Sequence, residues 1–66
     1  MNNKIRVARA EVRMTQQQLA EAAGVSRQTI NAIESGKFVP STVLALKIAQ
    51  IFGKSVEEIF QLEDED

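Results

Sequence analysis

Apolar residues recur along this chain every three or four positions, the spacing that places them on one face of an α-helix. No stretch alternates apolar and polar residues as a half-buried strand would. Hydrophobic residues make up 44% of the 66 residues, enough to fill the core of one small domain. The pattern predicts a compact all-α bundle of five helices, over about residues 3–12, 16–23, 27–34, 42–52 and a short fifth helix beginning near 56.

Polar residues and glycines mark where these helices begin and end. Thr15 with Gln18, and Ser55 with Glu58, have the spacing of a capping box, in which two side chains satisfy free backbone N–H groups at a helix start. Gly24 follows the second helix, where a left-handed backbone is needed to turn sharply. Helices two and three, over about residues 16–35, are therefore two short helices joined by a tight turn.

The third predicted helix has two chemically different faces. At about 100° per residue, Ile30 and Ile33 fall on one side, and Arg27, Gln28 and Asn31 crowd the other. Arginine can bond guanine O6 and N7 together, and glutamine or asparagine can do the same at adenine N6 and N7. A polar face is ordinary on a surface helix. This one lacks acids and follows a helix and a glycine turn, which is typical of a helix-turn-helix that enters the major groove.

The net charge of −1 would argue against a nucleic-acid partner if the charges were spread evenly. Four of the nine acids, however, form the last four residues, 63–66. Residues 1–62 hold all eight basic residues and only five acids, a balance of +3. We expect a mildly basic domain followed by a solvated, disordered acidic tail, with a weak nucleic-acid mimic as the other interpretation of the tail.

Composition excludes several classes of function. The chain has no cysteine and no histidine, so it lacks the usual zinc ligands and the usual groups for nucleophilic and general-base catalysis. No apolar run approaches the ~20 residues needed to cross a bilayer. We expect a cytoplasmic protein that is not an enzyme, binds no metal or cofactor, and does not enter a membrane.

Several motifs, in order along the chain, resemble the Xre family of helix-turn-helix proteins, which includes the phage repressors and Cro. They are "TQQQLA", "AGVSRQTINAIESGK", "LALKIAQIF" and "SVEEIF", with a proline four residues after the last glycine of the second motif. The resemblance runs from about Ile5 to Leu62. It implies a Cro-like DNA-binding domain over 1–62, with the helix-turn-helix at about 16–35 and an acidic tail at 63–66. It also implies a transcriptional regulator that binds double-stranded DNA.

The resemblance assigns roles to individual residues. Among the residues with a DNA-contact role, Thr29 fits helical geometry least well, because it lies at the edge of the predicted core. Seven positions match DNA contacts of the family: phosphate contacts at Gln16 and Lys37, base-edge contacts at Arg27 and Gln28, and backbone or flanking-base contacts at Ser26, Thr29 and Asn31.

One acid of the third helix has a different expected role. Glu34 borders the buried face and would repel phosphate if it faced DNA. In the family this acid pairs with an arginine of the first helix, which is Arg9 here. The resemblance therefore implies a structural ion pair between Arg9 and Glu34 that ties helix one to helix three.

The expected mode of action is a repressor that binds a palindromic operator as a homodimer, since two domains held ~34 Å apart can read successive major-groove faces. The C-terminal apolar residues Val56, Ile59, Phe60 and Leu62 are either core or part of the dimer contact. Two other interpretations stay open. One is an antitoxin-like autoregulator that binds a partner protein, and the other is a protein-interaction module without DNA binding.

Overall fold

A computed structural model describes all residues, 1–66, and shows five helices with one very small sheet. The predicted all-α, five-helix class is confirmed, and the sheet is a minor addition to it. The strands pair antiparallel, with Asn2 opposite Gln61 and Asn3 opposite Phe60. The elements in chain order are β1 (Asn2–Asn3), α1 (Ile5–Val12), α2 (Gln16–Ala23), α3 (Arg27–Glu34), α4 (Thr42–Ile51), α5 (Val56–Ile59) and β2 (Phe60–Gln61).

Hydroxyl side chains cap the N-termini of the last four helices. Both predicted capping boxes are confirmed, at Thr15 with Gln18 and at Ser55 with Glu58. The N–H that Ser55 donates to the Glu58 carboxylate lowers the pKa of that acid below its usual value. Each such cap contributes about 1 kcal/mol to helix stability. The other two N-caps are Ser26 and Ser41.

The core takes at least one large aliphatic side chain from every helix. No polar or charged residue is fully buried as a whole. Full burial of one such side chain contributes about 1.5–3 kcal/mol to the stability of the fold. Because α2 and α3 share this core, their packing in it fixes how they lie against each other. Six side chains are almost completely enclosed: Ile5, Leu19, Ile30, Ile33, Ile48 and Ile59.

The C-terminal apolar residues divide between core and surface. Ile59 and Phe60 are buried, and Val56 packs against the core while partly exposed. Leu62 is 80% exposed and lies outside the core. The core interpretation therefore holds for three of the four residues, and Leu62 alone is left free for another contact.

The first helix begins two residues later than the predicted start at residue 3, because Asn3 takes part in other contacts. Its backbone pairs with Phe60, and its Oδ1 accepts a hydrogen bond from the Ile5 N–H at 3.2 Å. Its Nδ2 donates to the carbonyl of Ile33 at 2.8 Å. Asn3 thus joins the start of α1 to the end of α3. Because Ile33 and Phe60 are distant from Asn3 in sequence, local patterning does not show these two contacts.

The acidic tail differs from the disordered end that the sequence predicts. The Met1 amine lies 2.8 Å from the Asp66 carboxylate and 3.5 Å from that of Glu63. Asp66 also donates its N–H to the Glu63 carbonyl at 3.0 Å, which closes a turn. The hydrogen bond with Asp66 raises the pKa of the amine, and the same bond lowers the pKa of Asp66. The tail is exposed but held at the chain's N-terminus.

Candidate nucleic-acid interface

The turn between α2 and α3 sets the orientation of the third helix. Gly24 has a φ of +74°, a left-handed conformation that residues with a Cβ rarely adopt, and it ends α2. Val25 donates its N–H to the Ala20 carbonyl at 3.0 Å, and its side chain packs against the core. The two helices then share buried contacts through Leu19 of α2 and Ile30 of α3. The chain therefore has the tight helix–turn–helix geometry that its glycine and apolar pattern predict.

The outer face of α3 carries three exposed polar side chains without partners in the chain. Arg27, Gln28 and Asn31 are all exposed, and their side chains form no hydrogen bond or ion pair within the protein. No acid is exposed on this face, because Glu34, the only acid of α3, is turned inward. The guanidinium and amide groups are therefore free to bond an external acceptor or donor.

Two further predicted contact residues lie at the start of α3 and bond each other. Ser26 Oγ accepts the N–H of Thr29 at 3.1 Å, and the two hydroxyl oxygens are 3.0 Å apart. Ser26 is exposed, whereas Thr29 is partly buried, in line with its place at the edge of the predicted core. The bond between the two hydroxyls and the cap formed by Ser26 hold both side chains in place at the start of α3. Any contact with DNA would therefore be made from these positions.

Glu34 is the centre of a network that joins three helices. Its side chain is only 1% exposed, and Arg9 donates to it twice, from Nε at 2.7 Å and from Nη2 at 3.1 Å. Arg9 also donates from Nη1 to the Met14 carbonyl at 2.9 Å. The structure thus places Arg9 and Glu34 in a buried, bidentate ion pair. Such pairs are strongly destabilised when one partner is removed, because the other charge stays buried.

Gln16 and Lys37, the two expected phosphate contacts, occupy different surroundings. Gln16 is the first residue of α2, and its Nε2 donates to Glu34 Oε1 at 3.3 Å. Lys37 is exposed and its ammonium has no partner in the chain. Its backbone N–H donates to the Ala32 carbonyl at 2.9 Å, after Gly36 at a φ of +81° has closed the end of α3. The cation is therefore held just beyond the helix.

The structure collects the predicted site residues along α3 and its two ends rather than at one point. Eight helical residues rise about 12 Å, so Arg27 and Lys37 lie at opposite ends of α3. Gln16 reaches the same end as Glu34. Arg6 was not among the predicted residues, yet its Nε lies 3.7 Å from Glu34 Oε1. The available signal was its spacing of three residues from Arg9, which places both on one side of α1.

The sequence also predicts that the chain binds no metal ion and does not enter a membrane. The structure brings together no group of three side chains of the kind that could hold a metal ion. None of its helices combines the length and the apolar character needed to cross a bilayer.

Comparison with known proteins decides the family. A helix-turn-helix family model, HTH_3, matches residues 5–59, which is most of the chain. The chain belongs to this helix-turn-helix family. The resemblance to Xre-type proteins is therefore confirmed. The prediction that the chain is not an enzyme is also confirmed, because members of this family are DNA-binding transcriptional regulators without catalytic activity.

Relatives and solved structures agree with this family. An uncharacterized HTH-type transcriptional regulator of Methanocaldococcus jannaschii is 53% identical over 66 residues, with both chains covered completely. The uncharacterized HTH-type transcriptional regulator YgzD of Bacillus subtilis is 47% identical, again over the whole of both chains. The crystal structure of ClgR, the clp gene regulator of Corynebacterium glutamicum, matches with a TM-score of 0.77 and 31% identity. That match covers 82% of this chain and 57% of ClgR.

Proposed function

We propose that this helix-turn-helix protein regulates transcription by reading a specific duplex DNA sequence with α3 in the major groove. The observation that carries the proposal is the outer face of α3, where Arg27, Gln28 and Asn31 are exposed and have no partner in the chain. Arg27 suits a guanine edge and Gln28 an adenine edge, since each can form two hydrogen bonds there. The cytoplasm of a prokaryotic cell, which holds the DNA, is the proposed site of action.

Phosphate contacts near the C-terminal end of α3 would set its register on the duplex. Gln16, whose side chain reaches Glu34, and the exposed cation of Lys37, just beyond α3, both lie toward that end. Ser26, Thr29 and Asn31 supply hydroxyl and amide groups for the backbone or for flanking bases. Contacts to phosphate position a protein without reading sequence, so specificity rests on Arg27 and Gln28.

The proposed operator is palindromic and is bound by a homodimer. The longest dimension of the domain is 31 Å, close to the ~34 Å between successive major-groove faces, so two domains side by side fit two half-sites. An apolar surface is available for pairing, which we name the α4 surface and define as Val39, Val43 and Leu46. These side chains are 58%, 63% and 48% exposed. Repression is the simplest consequence, because a protein bound at a promoter excludes others from the same site.

The test is selection of bound sites from random duplexes, followed by a salt titration on the selected site. We expect a palindrome whose half-site centres are about 10–10.5 base pairs apart or a multiple of this. We also expect log K to fall linearly with log salt, by about 0.9 per neutralised phosphate. Absence of any sequence preference would refute the specific regulator, and a single unpaired half-site would refute the homodimer.

The α4 surface also favours a second candidate, an antitoxin-like autoregulator that binds a partner protein. An exposed apolar surface can receive a different protein as well as a second copy. Sedimentation equilibrium of the pure protein separates the two. A dimer at micromolar concentration supports the homodimer. A monomer that still binds DNA would instead favour the α4 surface as the binding site of a different protein. A protein-interaction module without DNA binding would fail the salt titration altogether.

A further inference from the structure

Arg6 occupies an unusual position at the edge of the proposed DNA interface. Its side chain is 78% exposed, yet its Nε lies 3.7 Å from Glu34 Oε1. That same oxygen accepts the hydrogen bond from Gln16 Nε2 at 3.3 Å. Arg6 and Gln16 are therefore neighbours around one buried oxygen atom. This places a free cation from α1 beside the residue proposed to hold a phosphate at the start of α2.

The negative charge of Glu34 is neutralised without Arg6. Arg9 already neutralises the carboxylate with two hydrogen bonds, and Arg9 is mostly buried while Arg6 is not. The contact of Arg6, at 3.7 Å from Nε, is longer than a hydrogen bond, and the Arg6 side chain donates no hydrogen bond within the chain. An exposed ion pair of this kind contributes little to stability. The positive charge of Arg6 thus remains uncompensated and faces solvent.

The geometry of the guanidinium fits a phosphate group. With Nε directed toward Glu34, the two Nη nitrogens form the outer edge of the planar group, which can donate to two phosphate oxygens at once. Glu34, held in place by Arg9, limits where this edge can lie.

We propose that Arg6 is a further phosphate-contacting residue, which extends the DNA interface from α2 and α3 onto α1. The inference rests on the proposed function, since it takes duplex DNA as the partner. The backbone phosphate bound by Arg6 lies next to the one bound at Gln16. Because a phosphate contact carries no sequence information, Arg6 contributes to affinity for any duplex and not to the choice of site.

The experiment compares salt titrations of the full chain and three variants, on the selected site and on a scrambled duplex of equal length. Arg6→Gln removes the charge, and Arg6→Lys keeps it. Lys54→Gln is the matched control, because it also removes one positive charge, from a site 3.8 Å from Glu11 on another part of the surface. Thermal unfolding of each variant shows that it is folded.

For Arg6→Gln we expect a slope of log K against log salt that is shallower by about 0.9, the contribution of one phosphate. The affinity lost relative to the unmodified chain should therefore shrink about 3-fold between 50 and 200 mM salt. The loss should be equal on both duplexes, and Arg6→Lys should keep the original slope. Lys54→Gln should behave as the unmodified chain does.

Three results would overturn the inference. The slope of Arg6→Gln could equal that of Lys54→Gln, which would mean that Arg6 touches no phosphate. The loss could be confined to the selected site, which would make Arg6 a base contact. Arg6→Gln could instead lower the unfolding temperature as strongly as Arg9→Ala does, which would make its role structural. If the unmodified chain bound neither duplex with a salt-dependent affinity, the proposed function itself would fail, and this inference with it.

Discussion

α3 and α4 follow each other in the chain and bury isoleucines in the same core, but they present different surfaces to solvent. The outer face of α3 carries Arg27, Gln28 and Asn31, which are polar and have no partner within the protein. The outer face of α4 carries Val43 and Leu46, which are apolar and about half or more exposed, with the polar Lys47 and Gln50 one turn further along. The two helices contribute alike to the fold and differ in what they can contact.

The difference shows that packing in the core determines which residues a helix needs on its inner face, whereas the residues of its outer face can match a binding partner. Hydrogen-bond donors without acids suit the base edges and phosphates of DNA. Apolar side chains on neighbouring turns suit a protein surface, since burial of apolar area is favourable there. Single exposed apolar residues are common, but Val39 in the preceding loop adds to Val43 and Leu46 and enlarges the patch.

The largest expected effect tests the inner side of α3. Arg9→Ala leaves the Glu34 carboxylate buried without its main partner, which should cost about 3–5 kcal/mol of unfolding free energy. Thermal and urea unfolding followed by circular dichroism would measure it. The matched control is Arg6→Ala, which removes an exposed arginine from the same carboxylate and should cost less than about 1 kcal/mol.

Binding measurements on the same variant decide where Arg9 acts. Duplex affinity, corrected for the fraction still folded, should fall much less in Arg9→Ala than stability does. A larger loss of affinity than of stability would instead place Arg9 on the DNA, and the inner and outer sides of α3 would no longer be distinct.

A smaller effect is expected on the outer face of α3. Arg27→Ala and Gln28→Ala should each cost about 1–3 kcal/mol in binding to the selected site and relax the preference at one base pair. Lys37→Ala should weaken binding to all sequences alike, because it removes a proposed phosphate contact. Competition binding against single base-pair variants of the site would show the difference. Equal losses on every sequence for Arg27→Ala would mean that Arg27 reads no base.

On the outer face of α4, Leu46→Lys should weaken self-association and leave the fold intact. Leu46 is 48% exposed, so about half of its burial energy, roughly 1 kcal/mol per protomer, is available to an interface. Sedimentation equilibrium would measure the dimer constant. Ala10→Lys, at an exposed position of α1 away from α4, adds the same charge and serves as the control. Unchanged association in Leu46→Lys would exclude Leu46 from the dimer contact.

The smallest effect concerns the acidic tail, which meets Met1 beside the α4 surface rather than on α3. Met1 lines a groove of about 390 Å³ together with Val39 and Leu46. The pKa of the Met1 amine is raised from 8.0, so its contact with Asp66 is fully present below pH 8.0 and is lost as the pH rises through the raised value. The pKa of Asp66 is lowered from 3.8, so the contact is also lost as the pH falls through that lower value.

This pH window predicts a local change without unfolding. Between those limits the amide protons of residues 63–66 should be more strongly protected, relative to the intrinsic exchange rate at each pH, than they are outside them, as amide exchange followed by nuclear magnetic resonance would show. Asp66→Asn should lose the acid-side limit of this window, because its side chain does not ionise, while the limit set by the Met1 amine can remain. Exchange rates in the tail that follow only the intrinsic pH dependence of an unprotected amide would show that the contact does not form.

Most of the fold and of the outer face of α3 could be predicted because their causes are local. The capping box of Thr15 with Gln18 spans three residues, and the left-handed turn at Gly24 depends on one residue lacking a Cβ. The separation of Ile30 and Ile33 from Arg27, Gln28 and Asn31 follows from helical geometry once α3 is recognised. The family resemblance added what local patterns do not contain, namely the pairing of Arg9 with Glu34.

The amino-acid sequence by itself determined the five helices, their caps and the polar outer face of α3, since each depends on residues within one or two turns. Tertiary structure alone decided the contacts between distant parts of the chain. Asn3 meets Ile33 across 30 positions, and Glu34 gathers Gln16 and Arg6 around one oxygen atom. The tail meets Met1 only because β1 and β2 bring the two ends of the chain together. No local pattern specifies these long-range contacts, because they form only when packing of the core has placed the helices.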